Sequence, residues 1–120
     1  MQDFRKLQVW AKSHTFVLAV YAATQNFPRS EAFGLTSQLR RAAVSIPSNI
    51  AEGCGRGSTP DLIRFLYIAK GSAAETDYQL LLSRDLQYID PDTYELLSEQ
   101  VEEVNRMLHA FISKLKQQTA

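Results

Sequence analysis

The chain has 120 residues, of which 45% are hydrophobic and 22% are charged; this composition is typical of a folded protein and excludes extended disorder. A chain of this length can bury one sizeable core but not two, so we predict a single domain over residues 1–120. Thirteen basic and thirteen acidic residues cancel, which excludes the strong overall positive charge of many nucleic-acid-binding domains.

The first predicted element is a helix from about Phe4 to Asn26. Asp3 is suited to cap its start, and Pro28 disfavours helical geometry in the residue before it. Apolar side chains recur along this segment at steps of three or four, so we expect them to form the buried face, with His14 as a core histidine. The predicted face consists of Leu7, Trp10, Ala11, His14, Val17, Leu18 and Tyr21, and Phe16 and Val20 widen it, so the helix could touch more than one neighbour.

The second predicted helix begins after Ser30, whose hydroxyl can cap it, and ends at Gly53, in a segment with three glycines in five residues. Pro47 lies in its middle, where it removes one N–H donor, so we predict a kink there. Two stripes follow helical spacing in this segment. The apolar stripe is Leu35, Leu39, Ala42, Ala43, Ile46 and Ile50, and the polar stripe is Gln38, Arg41, Ser45, Asn49 and Glu52.

Two later segments carry strong signals for the start of a helix. Ser58–Asp61 and Asp90–Asp92 each combine a capping side chain, a proline and an acid. We therefore predict a third helix that ends at about Leu86. The fourth predicted helix runs from about Pro91 to Lys116.

A patch of small residues, from Gly71 to Ala74, lies in the middle of the third helix, and we expect another helix to approach closely there. No segment shows the alternation of a β-strand, and the connections between the helices are short. The sequence therefore predicts an all-α protein, an up-and-down antiparallel four-helix bundle whose second helix is kinked at Pro47.

Three motifs resemble a known family. They are FPRSEAFGL (residues 27–35), QLRRAAVSIPSNIAEG (38–53) and RFLYIAKGSAAE (64–75). They resemble the four-helix-bundle proteins encoded in intervening sequences of bacterial 23S ribosomal RNA genes, often called the S23 ribosomal protein family, and the similarity covers about residues 4–116. The resemblance implies a compact bundle that assembles as a homopentamer. It also implies similarity in fold to the accessory variability protein of diversity-generating retroelements, which binds a reverse transcriptase and nucleic acid.

A polar network between the second and third helices is the first candidate site. If these helices pack through the Gly71 patch, polar side chains of both could meet in one buried network. Such a network is either a binding or catalytic pocket or, as we favour, a structural layer that fixes the register of the helices. Its predicted members are Arg41, Ser45, Asn49, Glu52, Ser72 and Glu75.

Basic residues in the middle of the chain form a candidate nucleic-acid contact. Residues 1–84 hold ten Lys/Arg and six Asp/Glu, whereas residues 85–120 hold three and seven, so the charges are segregated along the chain. The alternative is that Arg40 and Arg64 are solvated helix surface or ion-pair partners of Asp61 and Glu31. The candidate contact residues are Arg40, Arg41, Arg56, Arg64 and Lys70.

The sequence shows no pattern of a catalytic or cofactor site. It lacks a Ser-His-Asp order, a phosphate-binding loop and zinc-ligand spacing, and neither His14 nor His109 follows a glutamate by three residues as in di-metal bundles. Cys54 is the only cysteine, so an internal disulfide is excluded. We expect no enzymatic activity, no cofactor, no metal and no small-molecule substrate.

Without a signal peptide or a membrane-length apolar stretch, we expect a cytoplasmic protein that contacts no membrane.

The aromatic content favours self-association. Five tyrosines, six phenylalanines and one tryptophan are many for a small domain, and several lie beside the main apolar stripes. We therefore predict a non-enzymatic binding or adaptor module that forms a homo-oligomer, a pentamer by the family resemblance, with RNA or a nucleic-acid-handling protein as its partner. The alternative is a purely protein–protein scaffold with no nucleic-acid contact.

Overall fold

Four α-helices make up most of the chain. The computed structural model describes residues 3–119, and over this range it contains helices and no strand. The prediction of an all-α protein with four long helices is therefore confirmed. The helices are α1 (Gln8–Thr24), α2 (Leu35–Gly55), α3 (Thr59–Asp85) and α4 (Pro91–Thr119), and short 3₁₀ turns cover Phe4–Lys6 and Arg29–Glu31.

The first helix begins later than predicted. Asp3 is a cap, as expected, but its carboxylate accepts a 3.0 Å hydrogen bond from the Arg5 N–H and so closes the 3₁₀ turn at Phe4–Lys6. The extended backbone of Leu7 separates this turn from α1, which starts at Gln8.

The second helix also begins later than predicted. Ser30 lies within the preceding 3₁₀ turn, and the non-helical backbone of Gly34 delays the start of α2 to Leu35. The cap comes instead from Glu31, whose carboxylate accepts a 3.2 Å hydrogen bond from the Leu35 N–H. The other carboxylate oxygen of Glu31 accepts a 2.9 Å hydrogen bond from the Tyr88 hydroxyl, which raises the pKa of that phenol because it must keep its proton to donate.

The starts of α3 and α4 follow the predicted pattern. The Ser58 hydroxyl accepts from the Asp61 N–H at 3.3 Å at the start of α3. At the start of α4, the Asp90 carboxylate accepts from the Thr93 N–H at 2.7 Å, which lowers the pKa of Asp90 because the bond favours its ionised form.

All four helices contribute to one hydrophobic core. Each helix packs against the next in the chain, and α4 also packs against α1, an arrangement consistent with a bundle. None of the helices in the described part of the chain combines the length and apolar character needed to cross a membrane. The largest fully buried apolar side chains are Phe16, Leu39, Ile46, Ile50, Leu66, Leu80 and Leu108.

The predicted buried face of α1 is correct at Phe16, Val17 and Val20 and wrong at His14 and Leu18. Leu18 is 58% exposed, and His14 is exposed and stacks on Trp10 with 5.1 Å between ring centroids, so it is not a core histidine. The error arose because α1 is apolar around most of its circumference, and its buried side includes hydroxyls that bond to carbonyls of their own helix. The side chains that are buried are Val9, Ser13, Phe16, Val17, Val20 and Thr24.

Within the Gly71–Ala74 patch, where a close approach of another helix was predicted, the contact with α2 is made by Ser72, whose hydroxyl meets that of Ser45, and not by Gly71. A Cβ atom at Gly71 would have no neighbour within 4 Å, and this glycine is exposed on α3. A Cβ atom at Gly53 would lie 2.9 Å from the Phe65 Cβ and 3.0 Å from the Leu62 Cδ1. The backbone of α2 therefore comes close to α3 at Gly53, near the end of α2, and the absence of a side chain there allows this contact.

Replacing Gly53 with alanine should destabilise the fold. The added methyl group meets the Phe65 Cβ, which is fixed to the backbone and cannot rotate away, so α2 and α3 must move apart. We expect Gly53→Ala to lower the free energy of unfolding by about 1–3 kcal/mol, measured by urea denaturation at one protein concentration. Gly55→Ala is the matched control, because a Cβ atom there would have no neighbour within 4 Å. Equal stability of the two variants would contradict the tight contact at Gly53.

Candidate functional site

A small polar cluster joins α2 and α3. The Ser72 hydroxyl of α3 donates a 2.8 Å hydrogen bond to the Ser45 hydroxyl of α2. The Asn49 amide donates to the same hydroxyl oxygen at 2.9 Å and to the Ser45 carbonyl oxygen at 2.7 Å. All three residues are half-buried. The structure therefore brings together three of the six predicted network residues, and their contacts fix α2 relative to α3.

The other three predicted network residues lie at the surface. Glu52 is exposed and pairs with Arg56 one turn along α2, at 2.8 Å. Glu75 is exposed and accepts a 3.1 Å hydrogen bond from the Gln79 amide. Arg41 is also exposed. The cluster that does form contains hydroxyls and an amide but no titratable group, so its chemistry suits positioning of the helices rather than proton transfer.

Two buried polar residues of α3, Gln79 and Ser83, were not predicted. Gln79 is buried, and its side-chain carbonyl oxygen has no hydrogen-bond partner within residues 3–119. The Ser83 hydroxyl donates to the Gln79 backbone carbonyl at 2.8 Å. With Ser72 and Thr76 these residues form a polar stripe at steps of four, three and four, and this spacing was visible in the sequence.

Arg40 and Lys70, two of the predicted nucleic-acid contacts, are held by side chains of neighbouring helices. The Arg40 guanidinium donates a 2.8 Å hydrogen bond to the Thr24 hydroxyl and lies 4.6 Å from the centroid of the Tyr21 ring. The Lys70 ammonium lies 3.4 Å from the Nδ1 of His109. Both cations therefore bridge between helices of the same chain.

Arg56 and Arg64, two others of this set, share one surface next to the connection between α2 and α3. They flank the Phe65 ring, with guanidinium carbons 5.0 and 4.6 Å from its centroid. Each also faces a carboxylate, Glu52 for Arg56 and Asp61 for Arg64. Arg40 lies sixteen residues before Arg56 on α2, about 24 Å away along the helix axis. The five predicted contact residues therefore do not form one patch.

A cleft of about 410 Å³ lies where the α2–α3 connection meets the last turns of α4, and Gly53, Cys54, Ser58 and Leu115 are among its lining residues. The Cys54 side chain is buried, and burial raises the pKa of its thiol, with a smaller contribution from the negative charge of Asp3. The thiol is therefore protonated at neutral pH and is a poor nucleophile.

A smaller cleft of about 120 Å³ lies between α3 and α4 and contains two carboxylates, those of Asp77 and Glu102. Partial burial raises the pKa of the Asp77 carboxyl, and the negative charge of Glu102 raises it further. Within residues 3–119 no group of three His, Cys, Asp or Glu side chains is placed to hold a metal ion.

These features define an all-α protein of four packed helices. The sequence matches the family of 23S rRNA-intervening sequence proteins over residues 5–110, and the chain belongs to this family. The resemblance seen in the motifs is thereby confirmed. The family is of uncharacterised function and is not known as enzymatic.

A solved structure supports this assignment. The chain is similar to a protein of unknown function from the S23 ribosomal protein family of Bacteroides thetaiotaomicron, whose crystal structure was determined at 1.70 Å resolution. The two are 32% identical, with a TM-score of 0.78 over 87% of this chain and 97% of that one. A comparison with curated proteins gave no match.

The raised pKa of Asp77 leads to a pH-dependent prediction. Because its carboxyl titrates at a higher pH in the folded protein than in the unfolded chain, ionisation of Asp77 weakens the fold, and this loss disappears as the pH falls below both values. We expect Asp77→Asn to raise the melting temperature at pH 7 and to have a smaller effect at pH 4. Glu102→Gln should bring the pKa of Asp77, followed by NMR, closer to its ordinary value. A pKa of Asp77 that is normal in the wild type would contradict this account.

Proposed function

We propose that this protein is a non-enzymatic binding or adaptor module that works as a homo-oligomer. The observation that carries the proposal is the amount of apolar surface that a single copy leaves open. Leu18, Phe33, Tyr78 and Leu96 are 58%, 100%, 61% and 65% exposed, and each is a large side chain that favours burial. A second copy that covers these side chains would remove this surface from water.

The exposed apolar side chains are concentrated on two of the four helices. The outward side of α1 carries Leu18 and Tyr21, and that of α3 carries Tyr67, Ile68 and Tyr78. A helix on the surface of a monomeric protein usually has a polar outward side, as α4 largely has here, with its row of glutamates. The departure of α1 and α3 from this pattern supports a protein partner on both.

We also infer that successive helices run antiparallel in a single up-and-down bundle with α2 kinked at Pro47. Contacts between helices support the antiparallel order, because Ser45 meets Ser72 whereas the later Gly53 meets the earlier Leu62. The same reversal relates α3 to α4 through the Lys70–His109 and Tyr67–Lys116 contacts. Pro47 supports the kink, since it lies inside α2 and has no N–H to donate to the preceding turn.

The family resemblance favours five copies in the assembly. We expect light scattering across a size-exclusion peak to give a mass of about 68 kDa, because one chain has a mass of 13.6 kDa. The melting temperature should also rise with protein concentration, since association stabilises only the folded chain. A mass of one chain at all concentrations tested would overturn the proposed self-association. A stable mass of a different multiple would keep it and exclude the pentamer.

A second candidate function is nucleic-acid binding in the cytoplasm. The observation that favours it is the pair of guanidiniums of Arg56 and Arg64 on one surface, beside the start of α3. In an oligomer this pair is repeated once in every copy, and the attraction of cations to phosphates adds over repeated contacts. RNA, or a protein that handles nucleic acid, is the partner we propose. The alternative is a protein scaffold with no nucleic-acid contact.

Salt dependence separates these alternatives. We expect the affinity for a labelled single-stranded RNA, measured by fluorescence anisotropy, to fall steeply between 50 and 200 mM salt, as it does when phosphate contacts dominate. The double variant Arg56→Ala/Arg64→Ala should bind more weakly and with a shallower dependence on salt. Arg29→Ala/Arg106→Ala is the matched control, because it removes two exposed cations elsewhere on the surface. If no RNA binds, or if both double variants behave alike, the scaffold without nucleic-acid contact is favoured.

A further inference from the structure

We propose that the end of the molecule where α3 begins and α4 ends binds single-stranded nucleic acid, with a base stacked on Tyr67 and phosphates on the cations around it. This inference rests on the second candidate function, nucleic-acid binding, and names the surface and the class of ligand. We call the surface the α3–α4 cationic surface. It consists of Arg64, Tyr67, Lys70, His109 and Lys116, of which Lys70 is half-buried and the others are exposed.

Side-chain contacts hold this surface together across two helices. The Lys116 ammonium of α4 donates a hydrogen bond to the Tyr67 hydroxyl of α3 and lies 5.0 Å from the centroid of its ring. About one turn further along α3, the Lys70 ammonium lies 3.4 Å from the Nδ1 of His109. Arg64 lies about one turn before Tyr67 on the same helix. Three cations are therefore next to one aromatic ring, which is 46% exposed.

The two lysines of this surface keep their charge. Within residues 3–119 neither Lys70 nor Lys116 forms an ion pair. An ammonium can only donate, so the Nδ1 of His109 accepts and carries no proton in this contact. Arg64 faces the Asp61 carboxylate at 3.7 Å, but both groups are exposed, and such pairs are weak.

The sequence around the surface is also cationic. Residues 104–119 of α4 hold three Lys/Arg and no Asp/Glu, and residues 62–74 of α3 hold two and none. This end of the α3–α4 pair therefore has a positive potential that attracts a polyanion, although the net charge of the whole chain is zero.

The cations decide what can cover the exposed ring of Tyr67. An apolar protein surface would take the ammoniums of Lys70 and Lys116 out of water without partners, which is costly. A nucleic acid would cover the ring with a base and pair the ammoniums with phosphates. Tyr78, eleven residues later on α3 and 61% exposed, differs because Asp77 and Glu75 are its neighbours in the helix. Two exposed tyrosines of one helix therefore suit different partners.

Carboxylates limit the surface at one end. Asp77 lies seven residues after Lys70 on α3, and Glu102 lies seven residues before His109 on α4, in each case about 10 Å along the helix. The two carboxylates share one cleft, and they repel phosphates. In the other direction the surface continues to Arg64 and the α2–α3 connection. The bound strand therefore runs towards this connection, and only a few of its nucleotides contact the surface.

The geometry favours a single strand over a duplex. A base can stack on Tyr67 only if it is unpaired, whereas the bases of a duplex are stacked on one another. None of the proposed contacts involves a 2′-hydroxyl or the edge of a base. We therefore expect single-stranded RNA and DNA of the same sequence to bind with comparable affinity, and the duplex to bind more weakly.

Substitution of the two tyrosines tests the stacking. The probe is a fluorescein-labelled RNA of about 12 nucleotides without self-complementarity, and binding is followed by anisotropy. We expect Tyr67→Leu to weaken binding roughly five- to a hundred-fold, the range of base–aromatic stacking, with an unchanged dependence on salt. Tyr67→Phe keeps the ring and should bind nearly as the wild type does. Tyr78→Leu is the matched control and should have no effect.

Substitution of the two lysines tests the phosphate contacts. Lys70→Gln/Lys116→Gln keeps polar side chains but removes two charges, and each phosphate contact with a single strand contributes about 0.7 to the slope of log affinity against log salt. We expect this slope to become shallower by about 1.4. Arg29→Ala/Arg41→Ala removes two exposed cations outside the surface and should leave the slope unchanged. If Tyr67→Leu fails to fold by circular dichroism, the lysine variant tests the surface without it.

The outcomes separate this surface from nucleic-acid binding in general. If Tyr67→Leu and Tyr78→Leu bind alike, or if both double variants have the slope of the wild type, the surface is wrong although nucleic-acid binding stands. Tighter binding of the duplex, or a requirement for the 2′-hydroxyl, would overturn the stacked single strand. A wild type that binds none of the three probes overturns the second candidate function itself.

Discussion

The close contact between α2 and α3 is the constraint on which the rest of the structure depends. At one end, the lack of a side chain at Gly53 allows the backbone of α2 to rest on Phe65 and Leu62. Further along the same helix pair, the Ser45 and Ser72 hydroxyls meet at 2.8 Å, which requires a near approach of both backbones. These two contacts fix both the distance and the register of α2 and α3. The core side chains of α1 and α4 pack against this pair of helices, α1 on α2 and α4 on α3.

The capping residues at the starts of α3 and α4 predicted these helices well, because a cap depends on only a few neighbouring residues. The caps at Ser58 and Asp90 depend only on the hydroxyl or carboxylate and on N–H groups three residues later. The start of α2 could not be predicted in this way, because Glu31 supplies the cap and is itself held by Tyr88, which lies 57 residues away in the chain. The family could be recognised from three motifs within residues 27–75, and the match to the family extends over residues 5–110.

Features that depend on packing were predicted less well. Periodicity could not select the buried side of α1, because nearly every side of that helix is apolar and the hydroxyls of Ser13 and Thr24 are satisfied by their own helix. It also could not distinguish the glycine at a helix contact, Gly53, from the exposed Gly71. Of the predicted polar network, the half that shares the α2–α3 contact came together, whereas the charged members remained in water, where a carboxylate or guanidinium incurs no desolvation cost.

The hydrogen bond between Tyr88 and Glu31 has a consequence for how hairpins could be exchanged between copies. It joins the α1–α2 connection to the α3–α4 connection, and the Phe27 and Tyr88 rings pack beside it with centroids 5.3 Å apart. In a domain-swapped dimer the α1–α2 hairpin of one chain would pack on the α3–α4 hairpin of the other chain. Both contacts would break during the exchange and would then re-form between the two chains. Because the swapped and unswapped forms contain the same contacts, the bond does not change the equilibrium between them. It adds to the barrier between them, because it must break before the hairpins can separate.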